Sequence, residues 1–111
     1  MRLTFVDPGE LKTRLRLETP AEAPDGQGGV TKGWNEVAEL WGRVEPLRAK
    51  PGEEAGALTA PISHRVTVRY RADIRHAMRF VSGNRQLLIR ALRDPDERRR
   101  YLICECEEAA P

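Results

Sequence analysis

Polar and apolar residues alternate along much of this 111-residue chain, and this alternation restricts its fold more than any other feature. The clearest example is Ile62–Arg71, in which every second residue is apolar or histidine and the residues between are Ser, Thr or Arg. A period of two places the two sets on opposite faces of a β-strand. The pattern therefore predicts a sheet whose strands each bury one face.

Similar patterns predict six strands, over Leu11–Glu18, Trp34–Leu47, Ile62–Arg71, Met78–Val81, Leu87–Leu92 and Tyr101–Cys106. The second is ambiguous because its apolar spacing also suits a helix, although Gly42 and Pro46 favour a strand. Tight turns are predicted at Ser82–Asn84 and Asp94–Asp96, and one helical turn is possible over Ala72–Ala77. Antiparallel strands with one apolar face each would curl into a small barrel, because closure removes exposed strand edges. We expect a mainly β single domain over residues 1–111.

Two predicted connections are long and poor in apolar residues, at about 19–33 and 48–61. Loops longer than ~12 residues are uncommon in a compact domain and often bind something, so we expect both to be flexible until bound. The acidic tail over 107–111 is expected to fray. Candidate interaction residues lie in the two loops and at the polar positions of the third strand and its end: Asp25, Gly28, Gly29, Arg48, Lys50, Glu53, Glu54, Arg65, Arg69 and Arg71.

Residues that could form an active site are sparse. The glycines around Gly28 lack the Lys-Ser or Lys-Thr step of a phosphate loop, and no nucleophilic serine is suitably placed. Adjacent Glu53 and Glu54 have no apolar cover that would raise either pKa. Cys104 and Cys106 lie two apart, which rarely closes a disulfide, so we interpret them as reduced, partly buried thiols. The sequence predicts no enzyme, no cofactor and no metal.

A metal-dependent hydrolase is a minor alternative. It would rest on the two cysteines together with His64 and His76, which have no recognisable ligand spacing.

The 19 basic and 17 acidic residues leave a net charge of only +2. The net charge therefore does not by itself indicate nucleic acid or an anionic membrane as the partner. No segment approaches the ~20 apolar residues that span a bilayer, and the first ten residues lack a secretory signal. We therefore expect no membrane partner and synthesis and retention in the cytoplasm.

Arginine dominates the basic residues, with sixteen arginines against three lysines. Arginine suits planar partners such as carboxylate and phosphate. A small barrel that binds single-stranded nucleic acid is therefore an alternative function. Such barrels need exposed aromatic rings for base stacking, whereas most of the six aromatic residues here are expected at inward positions or beside a loop. We favour acidic surfaces on other protein chains as partners.

The order of these features resembles that of phage head-tail joining proteins. The likeness runs from Gly9 to Glu105, and the segments that carry it are Gly9–Glu18, Asp25–Gly29, Trp34–Pro46, His64–Tyr70 and Asp94–Arg98.

The resemblance implies a structural protein of a tailed phage or a gene transfer agent, with a β-barrel core and extended loops. Such proteins form the stopper or head-closure ring of the virion neck after assembling in the host cytoplasm. The implied partners are further copies in a closed six- or twelvefold ring, the portal-adaptor ring, a tail terminator or tail tube protein, and double-stranded DNA passing through the channel.

Overall fold

The computed structural model describes residues 6–47 and 62–109, and the loop predicted at 48–61 lies outside them. A short 3-10 turn, Pro8–Glu10, precedes six strands: β1 (Thr13–Pro24), β2 (Val30–Pro46), β3 (His64–Arg69), β4 (Arg79–Ser82), β5 (Arg85–Arg93) and β6 (Tyr101–Glu108). All neighbouring strands are antiparallel and close into a barrel in the order β1-β2-β3-β6-β5-β4. The predicted mainly β, six-stranded barrel is confirmed, and the ambiguous second segment is a strand.

The inward residues of the strands form one core. Phe80 is fully buried, and Ile74 and Met78, from the connection before β4, belong to the same buried cluster. The remaining members are aliphatic or cysteine: Leu15, Leu17, Val66, Val68, Leu87, Ile89, Leu102, Cys104 and Cys106. Alternation in the sequence thus reports the inward face of each strand.

The predicted loop at 19–33 is wrong, because most of it is a β-hairpin. β1 and β2 remain paired as far as Pro24 and Val30, which leaves only 25–29 as the turn. The segment resembles a loop in composition because it is exposed and has no core to face. Its prolines do not interrupt the ladder, since they lie at positions that need no hydrogen bond to the opposite strand.

This hairpin projects from the barrel. β1 pairs with β4 only over Arg16–Glu18, and β2 pairs with β3 only over Gly42–Pro46. We call residues 19–37, which pair with neither β3 nor β4, the arm. The molecule measures 55 Å in its longest direction and 25 Å in its shortest.

The expected fraying of the tail from residue 107 is also wrong. Glu107 and Glu108 belong to β6 and form ion pairs with Arg90 and Arg85 of β5. Pairing across the ladder holds these carboxylates, whereas the sequence pattern shows only an acidic end. Residues 110 and 111 lie outside the described part of the chain.

The β4–β5 connection is a two-residue turn between Ser82 and Arg85. Gly83 has a φ of +59° in the β4–β5 hairpin, as the turn prediction requires. The segment 72–77 forms two successive turns instead of a helix, and Ala77 there has a φ of +73°. No helix in the described ranges is long and apolar enough to cross a bilayer.

Candidate interaction surface

The exposed large apolar side chains in the described part of the chain all belong to β2. They are Val30, Trp34, Val37 and Trp41, of which Val30 is 56% and Trp41 51% exposed. Apolar groups clustered on a surface, rimmed by charge, are typical of sites that contact other proteins. The arm and its base therefore form the candidate interaction surface.

A β-bulge brings the two tryptophans to the same face. Trp34 and Trp41 are seven residues apart, so an unbroken strand would place them on opposite faces. The register shifts at Val37, because Leu17 pairs with Ala38 whereas Glu18 pairs with Glu36. The extra residue reverses the alternation, and both rings consequently lie on the outer face of the sheet.

Arginine side chains lie over both rings. The guanidinium carbon of Arg79 is 4.1 Å from the Trp34 ring centroid, and that of Arg14 is 5.2 Å from the Trp41 centroid. These distances are within the range of cation–π contacts. Each ring is therefore held in place while part of it stays exposed.

Glu18 connects the arm to the barrel. Its side chain is only 9% exposed, and its two carboxylate oxygens accept hydrogen bonds from the Nε atoms of Arg16 and Arg79, each at 2.7 Å. Burial alone would raise the pKa of Glu18, but the hydrogen bonds and charges of the two arginines outweigh it and hold that pKa below its ordinary value. Glu18 thus fixes Arg79, which in turn contacts Trp34.

The cysteines lack the properties of a reactive site. Both are free and fully buried. Burial raises the pKa of Cys104 to about 12 and raises that of Cys106 as well. Thiols in this state are poor nucleophiles and poor metal ligands. Within the described ranges, no three or more His, Cys, Asp and Glu side chains converge as a metal site would require.

His64 is the cross-strand partner of Cys106, but its ring nitrogens face other groups. His64 lies at a barrel end, where Nδ1 is 2.8 Å from the Oγ of Ser63 and Nε2 is 2.8 Å from an Nη of Arg85. Because a guanidinium only donates, Nε2 accepts and Nδ1 carries the proton. His76 is exposed in the connection before β4. The described residues therefore give the hydrolase alternative no support.

The sequence and the fold match those of known proteins. The model of one family, described as phage head completion protein, matches residues 6–109. The chain belongs to this family. A solution structure of protein SF1141 from Shigella flexneri 2a is 28% identical, with a TM-score of 0.72, over 95% of this chain and 98% of that chain. A chain of the virion of a native gene transfer agent particle is 27% identical, with a TM-score of 0.60, over 89% of this chain and 96% of that chain. No curated protein matches.

Membership confirms the resemblance found in the sequence and gives this chain a structural role in a phage particle. The predicted interaction residues do not form one cluster in it. Asp25, Gly28 and Gly29 form the arm tip, where Asp25 accepts hydrogen bonds from the backbone N–H groups of Gln27 and Gly29 and Gly28 has a φ of +84°. These residues build the turn.

The second predicted group lies on or just after β3. Arg65 is half-buried, and its Nε has no hydrogen-bond partner among the described residues. The guanidinium carbon of Arg69 is 5.9 Å from the Tyr101 ring centroid, and Arg71 donates two hydrogen bonds to Asp73. Arg48, Lys50, Glu53 and Glu54 lie outside the described residues.

The exposed tryptophans are the most prominent feature of this surface, and the sequence pattern did not indicate them. Most aromatic residues were expected at inward positions or beside a loop, and that expectation does not include the outward, exposed rings of Trp34 and Trp41. The alternation of apolar and charged residues along β2 is visible in the sequence, but the β-bulge is not. Unless the bulge is known, the residues on either side of it cannot be assigned to the inner or the outer face.

Proposed function

We propose that this chain is a subunit of the head–tail connector, a stopper or head-closure ring in the virion neck that joins the portal-adaptor ring to the tail. The observation that carries the proposal is the arm. The chain belongs to the phage head completion family and forms a closed barrel, and the large apolar side chains that its described residues expose all lie on the projecting hairpin. The likeness to a chain of a gene transfer agent virion supports a place in an assembled particle.

The proposed partners are further copies of the chain, the adaptor ring on one side, and a tail terminator or tail tube protein on the other. A closed six- or twelvefold ring needs two different faces of each subunit to meet, because a heterologous contact repeats around an axis. The arm and the outer face of β3 are separate surfaces, which suits that geometry. Double-stranded DNA would pass through the channel.

The predicted interaction residues keep this role as part of the proposal. The arm tip at Asp25, Gly28 and Gly29 would contact a neighbouring layer, and so would residues of 48–61. The outer side chains Arg65 and Arg69 would face acidic groups of another chain. Charged rims of this kind set orientation and partner choice more than they add affinity.

Particles produced without this chain test the proposal. Filled or leaking heads should accumulate separately from tails, and purified chain added back should restore joined particles in electron micrographs. Doubly substituted chain, Trp34→Ala with Trp41→Ala, should fold but fail to restore joining, whereas Arg90→Ala, an exposed change on β5 where it pairs with β6, should restore it. Particles that mature and infect normally without the chain would refute the proposal.

Binding of single-stranded nucleic acid is the second candidate, and the exposed rings of Trp34 and Trp41 are the observation that favours it. An arginine lies over each ring, and two rings of this kind could each stack one base. The candidate is weaker because the rings are separated along β2 and form no continuous row of stacking positions.

A further inference from the structure

The arm has two free backbone edges, and they differ. Within the described residues, the arm segments of β1 and β2 pair only with each other. The N–H of Asp25 donates to the carbonyl oxygen of Gly29, at 3.2 Å, so these two residues form a hydrogen-bonded pair. Hydrogen-bonded and non-hydrogen-bonded pairs alternate along an antiparallel ladder. From Pro24↔Val30 to Glu18↔Glu36, the even-numbered residues therefore direct their backbone groups away from the opposite strand.

On β1 this outward edge is blocked. Its arm positions are Pro20, Glu22 and Pro24, so two of the three residues have no N–H to donate. Proline at an edge strand is a known means of preventing a further strand from adding.

On β2 the outward edge is open. Its positions are Val30, Lys32, Trp34 and Glu36, each with both an N–H and a carbonyl group. The side chains of these four residues share the outer face with Glu18, and those of Val30 and Trp34 are exposed apolar groups. Lys32 is an exposed cation between them.

We propose that the β2 edge of the arm, Val30–Glu36, binds an extended segment of a different virion protein by β-strand addition; this inference rests on the proposed connector function. The backbone groups would supply affinity and the side chains specificity. Charge and polarity complementarity define the segment: on the face that it shares with Val30, Lys32 and Trp34, it carries an acidic residue between two apolar ones.

A second copy of this chain fits the edge less well. The barrel strands close into a ring, so within the described ranges the longest open strand edge that another copy offers is its own β2 edge. Two identical edges pair about a two-fold axis, which ends in a dimer and does not propagate a ring.

A proline scan of the two arm edges tests the proposal in assembled particles. Lys32→Pro removes an outward N–H of β2 and leaves the hydrogen bonds within the arm intact. Glu22→Pro is the matched control, because it makes the equivalent change on the edge that is already blocked. We expect Lys32→Pro to lower incorporation into particles at least tenfold and Glu22→Pro to leave it unchanged, with equal thermal unfolding of both chains. Equal incorporation of both would overturn the inference.

A peptide measurement tests it in the full-length isolated chain. The probe is a synthetic seven-residue peptide of threonine alternating with valine, glutamate and valine, and the control peptide has lysine for glutamate. We expect the glutamate peptide to shift the emission of Trp34 in a Trp41→Phe background and to slow amide exchange over 30–36 at least tenfold. Lys32→Glu should reverse the preference between the two peptides.

The outcomes separate the inference from the proposed function. If the unaltered chain joins heads to tails but Lys32→Pro joins them equally well, only the strand addition fails. If particles need no copy of the chain, the connector function fails, and the peptide measurement still decides whether the edge accepts a strand. Protection of 30–36 in a dimer of the isolated chain would identify a second copy as the occupant and overturn the choice of partner.

Discussion

Gly42 is the position at which the smallest substitution should have the largest effect on the barrel. This residue pairs with both Thr13 and Val68, because β2 changes neighbours there. A Cβ atom at residue 42 would lie 2.6 Å from a terminal methyl carbon of Leu15, 3.1 Å from the carbonyl oxygen of Thr67 and 3.1 Å from a methyl carbon of Val68. Leu15 is 1% exposed, so its methyl group has no solvent to move into.

Gly42→Ala should therefore overpack the core. The expected loss in the free energy of unfolding is about 1–3 kcal/mol. For a domain of this size that lowers Tm by roughly 4–12 °C. Gly33→Ala is the matched control on the same strand, because a Cβ atom there would meet nothing within 4 Å. It should be neutral or stabilise by about 0.4–1 kcal/mol, through the lower entropy of the unfolded chain.

Urea unfolding followed by circular dichroism measures both variants, and a double variant identifies the cause. Leu15→Ala alone should cost about 2–5 kcal/mol because it leaves a cavity. Combined with Gly42→Ala, it should cost at least ~1 kcal/mol less than the sum, because the new methyl group occupies that cavity. Additive losses, or a Gly42→Ala chain as stable as Gly33→Ala, would refute this account of the packing.

Three further predictions concern the charges, the thiols and the second candidate function. The pKa of Glu18 lies below its ordinary value of 4.5 in the folded chain, so its ion pairs stabilise the fold above that pH and lose this effect as the pH falls through the folded pKa. Glu18→Gln should cost about 1–3 kcal/mol at neutral pH and reduce the acid dependence of unfolding, measured as urea midpoints against pH; an unchanged dependence would contradict the role of Glu18. Cys104 and Cys106 should react with an aromatic disulfide reagent only after unfolding, and rapid labelling of the native chain would show that the barrel opens. Tryptophan emission should stay constant when a single-stranded oligonucleotide is added at low salt, whereas a salt-dependent change would favour nucleic-acid binding.

The barrel could be predicted from the sequence because burial acts on one face of every strand. The alternation over 64–69 and over 13–17 reflects which side chains enter the core, and closure follows from six such strands. The glycine at position 83 indicated a tight hairpin for an equally local reason, its freedom to adopt positive φ.

The arm could not be predicted because no core selects its residues. A two-stranded ribbon in water needs only the hydrogen bonds between its own two strands. Pro20 and Pro24 are tolerated because an N–H at either position would point away from the opposite strand. Their presence, with Asp25 and the glycines of the tip, is typical of loops. Only the pairing register distinguishes a hairpin from a loop here. A register depends on both strands together and cannot be derived from either segment alone.

The position of Glu18 explains how a loosely supported arm can still present a defined surface. Glu18 is the last β1 residue paired with β4, and its partner across that ladder is Arg79. The same carboxylate that orients Arg79 is buried between two guanidinium groups, and Arg79 lies against Trp34. Charge-assisted hydrogen bonds, which are roughly twice as strong as neutral ones, thus tie the base of the arm to the barrel. Because the longest open strand edge in the described residues belongs to β2 of the arm, orienting the arm also orients the surface that is available for assembly.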